Sequence, residues 1–281
     1  MLGATFRDVN RCGTQGPVLD FERVAHAAAA RAGALIRSRY GDRQDISFKG
    51  EVDLVTAVDR EAERLIIDMI TAAFPEHGIH AEESPSRPSQ DGHRWYIDPL
   101  DGTTNFAHGY PQFAVSIALA REDELLLGVV YDPVREELFT ALRGGGARLN
   151  GAPITLSSVD QLGRALLATG FPYDHRQHVD FHLSFWREAL QHAQGVRRAG
   201  AAALDLCYVA CGRLDGFWEW KLHPWDLAAG RLIIEEAGGR VTDATGGPHQ
   251  LSGEETVASN GRIHGELLAM IARARGQRGQ R

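Results

Sequence analysis

Trp95-Tyr96-Ile97-Asp98-Pro99-Leu100-Asp101-Gly102-Thr103-Thr104-Asn105-Phe106 sets two carboxylates and a hydroxyl where an apolar strand gives way to a turn. Arg94 to Ile97 read as the end of a buried strand, Pro99 bars its regular continuation, and Gly102 lets the backbone turn sharply and approach a ligand. A helical turn opening at Thr103 would aim free backbone N–H groups at whatever the carboxylates hold, as a phosphate oxygen requires. Two acids alone are also what a solvated turn presents. The metal-and-phosphate reading gains weight from further acidic strand or helix ends at Asp59, Glu82 and Asp226.

Before this stretch, residues 1–19 lack periodicity and read as a loose extension. From Asp20, a plausible N-cap, Phe21, Val24, Ala25, Ala28, Ala32, Leu35 and Ile36 recur at helical spacing. Ile46 to Val58 carries Lys49, Asp53 and Thr56 and reads as a short strand or loop entering a second helix. Ala62, Leu65, Ile66, Met69, Ile70 and Ala73 form that helix's apolar stripe, so Asp59 taken alone is an ordinary N-cap. Ile79 to Ala81 form a buried strand that runs out into Glu82-Glu83-Ser84.

After it, Phe113 to Ala120, Glu124 to Tyr131, Leu138 to Leu142 and Ala147 to Leu149 read as an antiparallel sheet ending near residue 150. Gly144-Gly145-Gly146 is a tight turn, because no Lys-Ser/Thr follows and no helix opens there. The second half alternates strands (164–168, 196–198, 217–220, 240–242, 256–259) with helices (178–193, 202–210, 227–237, 263–273), as in a partly parallel α/β layer. His223-Pro224-Trp225-Asp226 opens the third of those helices, with Pro and Asp where a helix start favours them. The expected organisation is therefore an extension (1–19), an N-terminal α+β half (20–150), a C-terminal α/β half (151–275) and a frayed basic tail (276–281).

With 281 residues, 43% hydrophobic and 24% charged, the chain has the composition of an ordinary globular protein. A formal charge of −7 argues against nucleic acid as the main partner and suits a site that gathers cations. Cys12, Cys207 and Cys211 are odd in number and sparse, so they read as reduced thiols of a cytoplasmic protein. No signal sequence and no apolar run long enough to span a membrane is visible.

Glu82, Asp98, Asp101 and Asp226 are hard oxygen donors on distant segments, a set that suits Mg²⁺ completed by water and substrate phosphate. Clustered carboxylates repel one another unless cations neutralise them. Asp53 to Asp59, Ala81-Glu82-Glu83-Ser84, Trp95 to Phe106, and Trp225 to Gly230 with Glu235 to Gly239 together resemble the inositol monophosphatase family over about residues 20–270.

That resemblance implies a mixed α and β fold, a five-layer αβαβα sandwich of the inositol monophosphatase and fructose-1,6-bisphosphatase type. It implies that Glu82, Asp98 and the Leu100 carbonyl hold one Mg²⁺, that Asp98, Asp101 and Asp226 hold a second, and that Glu82 reaches a weaker third ion through water. Asp59 and Thr103 match the pair that orients and deprotonates the attacking water, with Glu82 beside them. The Gly102 and Thr103 N–H groups match the phosphate site, and Lys49 a lysine on the metal loop. Glu219, Gly200-Ala201-Ala202, Asp101 and Asp226 match positions that face the substrate. Ala81 stands where Gly is usual and Ala201 where Ser or Thr is common.

The implied activity is Mg²⁺-dependent, lithium-sensitive hydrolysis of myo-inositol 1-phosphate by a homodimer. Histidinol phosphate is the runner-up substrate, since histidinol phosphatases of this fold share the metal set. Fructose 1,6-bisphosphate would call on Arg176, Arg197 or Arg198 for its second phosphate. A phosphoaspartate mechanism needs Asp-x-Asp-x-Thr, and the spacing of Asp98 and Asp101, three apart with Pro99 between, argues against it. A regulatory binding protein is the alternative of another class.

Overall fold

The computed structural model describes residues 17–42, 46–48 and 54–276. Lys49, Cys12, most of the expected N-terminal extension and the end of the basic tail lie outside the described residues. In chain order the elements are α1 (Pro17–Arg39), β1 (Ile46–Phe48), β2 (Leu54–Thr56), α2 (Ala57–Ala73), β3 (Gly78–Ala81), β4 (His93–Asp101), α3 (Thr103–Ala107), β5 (Ala114–Arg121), β6 (Glu124–Asp132), β7 (Glu137–Leu142), β8 (Gly146–Leu149) and β9 (Ala152–Pro153). They continue with β10 (Leu166–Thr169), α4 (Val179–His192), β11 (Gly195–Arg197), α5 (Ala202–Ala210), β12 (Gly216–Trp220), α6 (Pro224–Glu236), β13 (Arg240–Thr242), β14 (Glu255–Ser259) and α7 (His264–Gly276).

Strands β3 to β9 form a seven-stranded sheet in sequence order, in which only β3 and β4 run parallel. The second sheet has the order β11-β10-β12-β14-β13, with β10 parallel to both neighbours and β14 antiparallel to both of its own. Helices α1 and α2 cover one face of the large sheet, α5 and α6 lie between the sheets, and α4 and α7 close the outer face of the small one. The result is a five-layer αβαβα sandwich.

Three apolar clusters glue these layers, and the period-two alternation of strand side chains sorts residues among them. On β4, Trp95 and Ile97 are fully buried toward α1 and α2, whereas Tyr96 joins the middle cluster. Asp98, two residues on from Tyr96, is thereby turned to the middle layer. Ser116, paired with Asp98 across β5, confirms that direction by donating to the Trp225 carbonyl at the start of α6, at 3.0 Å. Each large side chain buried this way contributes roughly 1.5–3 kcal/mol, which holds the inward-facing acids against their own desolvation.

The structure corrects several sequence expectations. Helix α1 begins at Pro17, so Asp20 lies in its first turn rather than at its cap. The strand before the central turn does not end at Ile97: β4 runs through Pro99 to Asp101, and the irregularity Pro99 demands appears as a register shift between Asp98 and Asp101. The strand expected from Arg164 starts at Leu166, after a 3₁₀ turn over Leu162–Arg164. The glycine triplet is a turn, as expected, and Glu236 accepts the N–H groups of Gly144 and Gly146.

Candidate active site

Asp59 is not the N-cap of α2. Thr56 is, and Asp59 stands at the third helical position, where its Oδ2 accepts the Thr56 N–H at 2.9 Å and the Thr56 hydroxyl. Its other oxygen accepts the Thr103 hydroxyl at 2.8 Å. One fully buried carboxylate thus closes its own helix and holds a hydroxyl from the central stretch. Burial pushes its pKa up, opposed by the bonds from Thr56 and Thr103. The Leu100 carbonyl lies 3.0 Å from the same Thr103 oxygen, but a hydroxyl has one proton, and the carboxylate is the stronger acceptor.

The other acids converge by separate routes. Glu82 follows β3, where its N–H donates to the Ile97 carbonyl at 3.1 Å. Asp98 turns one oxygen back onto the Leu100 N–H at 2.9 Å. Asp101 accepts the N–H groups of Ala202 and Ala203 at 3.2 and 2.9 Å. It therefore caps α5 from the other half of the chain, supplying what Ala201 lacks. Asp226 accepts the His223 N–H at 2.7 Å in the first turn of α6 and lies close enough to Asp98 for each to act on the other's charge. Two of the four acids thus sit at helix N-termini, whose dipoles favour negative charge.

Burial and the charges of Glu82, Asp101 and Asp226 hold Asp98 well above the usual carboxylate range. Asp226 is raised by burial and by Glu82 and Asp101, and burial pushes Asp101 up to about 7 against its bonds to Ala203 and Ala202. Mutual repulsion of this kind is what divalent cations relieve, and all the donors are oxygen, so Glu82, Asp98, Asp101, Asp226 and the Leu100 carbonyl fit Mg²⁺.

A cavity of about 240 Å³ opens beside these acids. One wall carries Asp98, Leu100, Asp101, Gly102 and Thr103, and the other carries Gly170, Arg198, Gly200, Ala201, Ala202, Asp205 and Glu219. Gly102 has φ +94°, and a Cβ there would meet the Gln112 carbonyl oxygen at 2.8 Å, so glycine is required by conformation and by space. Asn105 joins the walls: its amide nitrogen reaches the carbonyls of Gln112, Ala199 and Gly200 at 2.7, 2.8 and 3.1 Å. The structure thus brings together the described residues expected to hold metal, water, phosphate and the substrate ring: Asp59 through its bond to Thr103, and the others on the cavity lining. Of the three arginines considered for a second phosphate, Arg198 alone lines this cavity.

Sequence reading missed Glu63, Asn105 and Asp205. Glu63 is 2% exposed and accepts the Glu83 N–H at 2.7 Å and the Ser84 hydroxyl, which ties the Glu82 loop to α2. Its signal was an acid one turn after Asp59, next to the apolar stripe. A second cluster, His77, Asp91 and His93, has ligand atoms within 4.8 Å of one another. The Trp95 N–H donates to His77 Nδ1 at 2.9 Å, so the neutral ring keeps its proton on Nε2, 3.4 Å from Asp91, where a metal would need a lone pair. That cluster is a hydrogen-bonded support under β4.

The sequence model described as "Inositol monophosphatase family" matches residues 19–280. A protein of Synechocystis named "Inositol-1-monophosphatase" is 47% identical over 251 residues, covering 89% of this chain and 88% of that protein. One of Escherichia coli named "Nus factor SuhB" is 46% identical over 249 residues, covering 88% and 93%. The crystal structure titled "extragenic suppressor protein suhB" from Bartonella henselae superposes with a TM-score of 0.85 at 42% identity, covering 90% of this chain and 98% of that one.

Proposed function

Because the chain belongs to the inositol monophosphatase family and is a phosphoric monoester hydrolase, we propose that it hydrolyses myo-inositol 1-phosphate to inositol and phosphate by direct attack of water. Glu82, Asp98, the Leu100 carbonyl, Asp101 and Asp226 would hold two to three Mg²⁺ ions. Bound there, Mg²⁺ supplies the positive charge that lowers the pKa of a water and steadies the leaving oxygen.

The chain's own contribution is orientation and proton transfer. Since Asp59 accepts the Thr103 proton, the lone pairs of that hydroxyl face the cavity and can take a proton from water, passing their own to Asp59. Desolvation strengthens Asp59 as a base. The Gly102 and Thr103 N–H groups receive phosphate oxygens, and Glu219, Gly200, Ala201 and Ala202, with Asp101 and Asp226, face the inositol ring. Lys49 is assigned to the metal loop by resemblance alone. The Thr103–Asp59 contact beside the acid cluster carries this reading.

Histidinol phosphate would use every catalytic role, with its ammonium drawn to Glu219. A second phosphate is disfavoured, because Arg198 faces Asp205 and Glu219. A regulatory role, prompted by the relative named a Nus factor, is secondary to turnover in a chain that keeps the full acid set. The exposed Val179, Leu183 and Leu190, with Trp186 between them, form a stripe along α4 that supports a homodimer, to be checked by light scattering. Sparse free thiols support a cytoplasmic setting, and no described helix is long and apolar enough to cross a membrane.

The test is phosphate release with Mg²⁺ on myo-inositol 1-phosphate, histidinol phosphate, fructose 1,6-bisphosphate and 3′-phosphoadenosine 5′-phosphate, ranked by kcat/KM and repeated with lithium. Preference for inositol phosphate with lithium inhibition supports the reading. Preference for any other substrate replaces it.

A further inference from the structure

Asp205 lies in α5 between Leu204 and Leu206, both fully buried in the middle core. It is 2% exposed, yet its side chain reaches the cavity that Glu219 also lines. No side-chain or backbone donor of the described residues is bonded to either carboxylate, and neither is among the fully buried polar atoms left without a partner, so their oxygens open onto the cavity. A buried carboxylate without a donor destabilises a fold, and an apolar residue would suit this helix better. A partner from outside the chain resolves the conflict.

The surroundings say what kind of partner. Asp101 already occupies the N–H groups of Ala202 and Ala203, so Asp205 sits beyond the metal-ligand cluster, along the cavity wall. Burial raises both the Asp205 and the Glu219 carboxyl well above the usual carboxylate range, and the Arg198 guanidinium, 5.6 Å from the Phe171 ring centroid, is the positive charge that opposes this at both. Gly170 leaves the space Glu219 needs, since a Cβ there would fall 2.2 Å from its carboxylate oxygens.

We propose that Asp205 is a specificity-determining residue that accepts a hydrogen bond from a substrate hydroxyl, so that with Glu219 and Arg198 it selects polyhydroxylated phosphomonoesters over esters whose leaving group carries no donor. The proposal rests on the phosphatase reading above and deepens it. Two facing acceptors match a ring that offers several O–H donors, whereas an aryl group would leave both carboxylates desolvated and unpaired.

The experiment compares the wild type with Asp205→Ala and Asp205→Asn on myo-inositol 1-phosphate and on phenyl phosphate at saturating Mg²⁺, with thermal midpoints for each protein. The expected result is a fall of about tenfold or more in the inositol-to-phenyl ratio of kcat/KM for Asp205→Ala, mainly through KM. Asp205→Asn, which keeps an acceptor oxygen, should fall between. If the alanine protein does not fold, the ratio of the isosteric Asn protein decides. A ratio within about twofold of wild type in a folded variant overturns the proposal. Wild-type protein that releases phosphate from phenyl phosphate but not from the inositol ester overturns the substrate reading itself, a separate failure seen before any variant is made.

Discussion

The Thr103 hydroxyl stands 2.8 Å from the Asp59 carboxylate although 44 residues separate them, and each belongs to a different helix start. The contact fixes where the hydroxyl proton points and leaves its lone pairs for water. Thr103→Val, which keeps the shape, should lower kcat by roughly 10²- to 10⁴-fold while KM and the thermal midpoint change little. Steady-state kinetics with a melting curve check this, and a kcat within threefold of wild type would remove Thr103 from the proton path.

Asp98 is buried among the like charges of Glu82, Asp101 and Asp226. Asp98→Asn should abolish phosphate release and, measured in EDTA, raise the thermal midpoint, because one of the repelling carboxyls is gone. Retained turnover would contradict the assignment of Asp98 to the metal set.

Glu63 holds the loop that presents Glu82 through Glu83 and Ser84. Charge-assisted bonds to a buried carboxylate contribute about 1.5–3 kcal/mol, more than neutral ones. Glu63→Gln should therefore raise the Mg²⁺ concentration for half-maximal activity several-fold, with kcat at saturating Mg²⁺ nearly intact. Calorimetric Mg²⁺ titration gives an independent readout, and unchanged affinity would make Glu63 a purely structural acid.

Burial moves Asp101 from its ordinary 3.8 to about 7 in the metal-free fold. Between those values the folded chain binds a proton that the unfolded chain has released, so this stability is complete below the unfolded pKa and is lost as pH rises through the folded one. In EDTA the thermal midpoint should fall from about pH 5 to pH 8, and the shift on adding Mg²⁺ should grow over the same range, since ligation needs the deprotonated acid. A metal-free midpoint that rises across this window would show that other groups dominate.

Local periodicity made much of the fold legible. The spacing of apolar residues marks α2, and the inward positions of Leu206, Val209 and Ala210 mark α5 over Ala202–Ala210. Strand ends were less legible. Pro99 argued for a stop, but pairing with β5 carries the chain past it by shifting register, a choice made by the neighbouring strand. The metal acids were legible as residue types at motif spacing, and their family resemblance assigned them roles.

Tertiary structure decided what each acid does with its second oxygen. Asp59 looked like an N-cap because capping is local, and only the approach of Thr103 gave it another partner. Asp101 caps a helix a hundred positions away, and no short-range pattern encodes that. Glu63 and Asp205 carry no motif at all: a carboxylate on a helix is unremarkable until packing removes the water around it. Sequence alone determined which groups this protein owns and which segments are strands or helices, because those depend on neighbours along the chain. Which groups meet, which lose their solvent and which face the cavity were settled by packing between distant segments, because desolvation and directed hydrogen bonds exist only once the layers close.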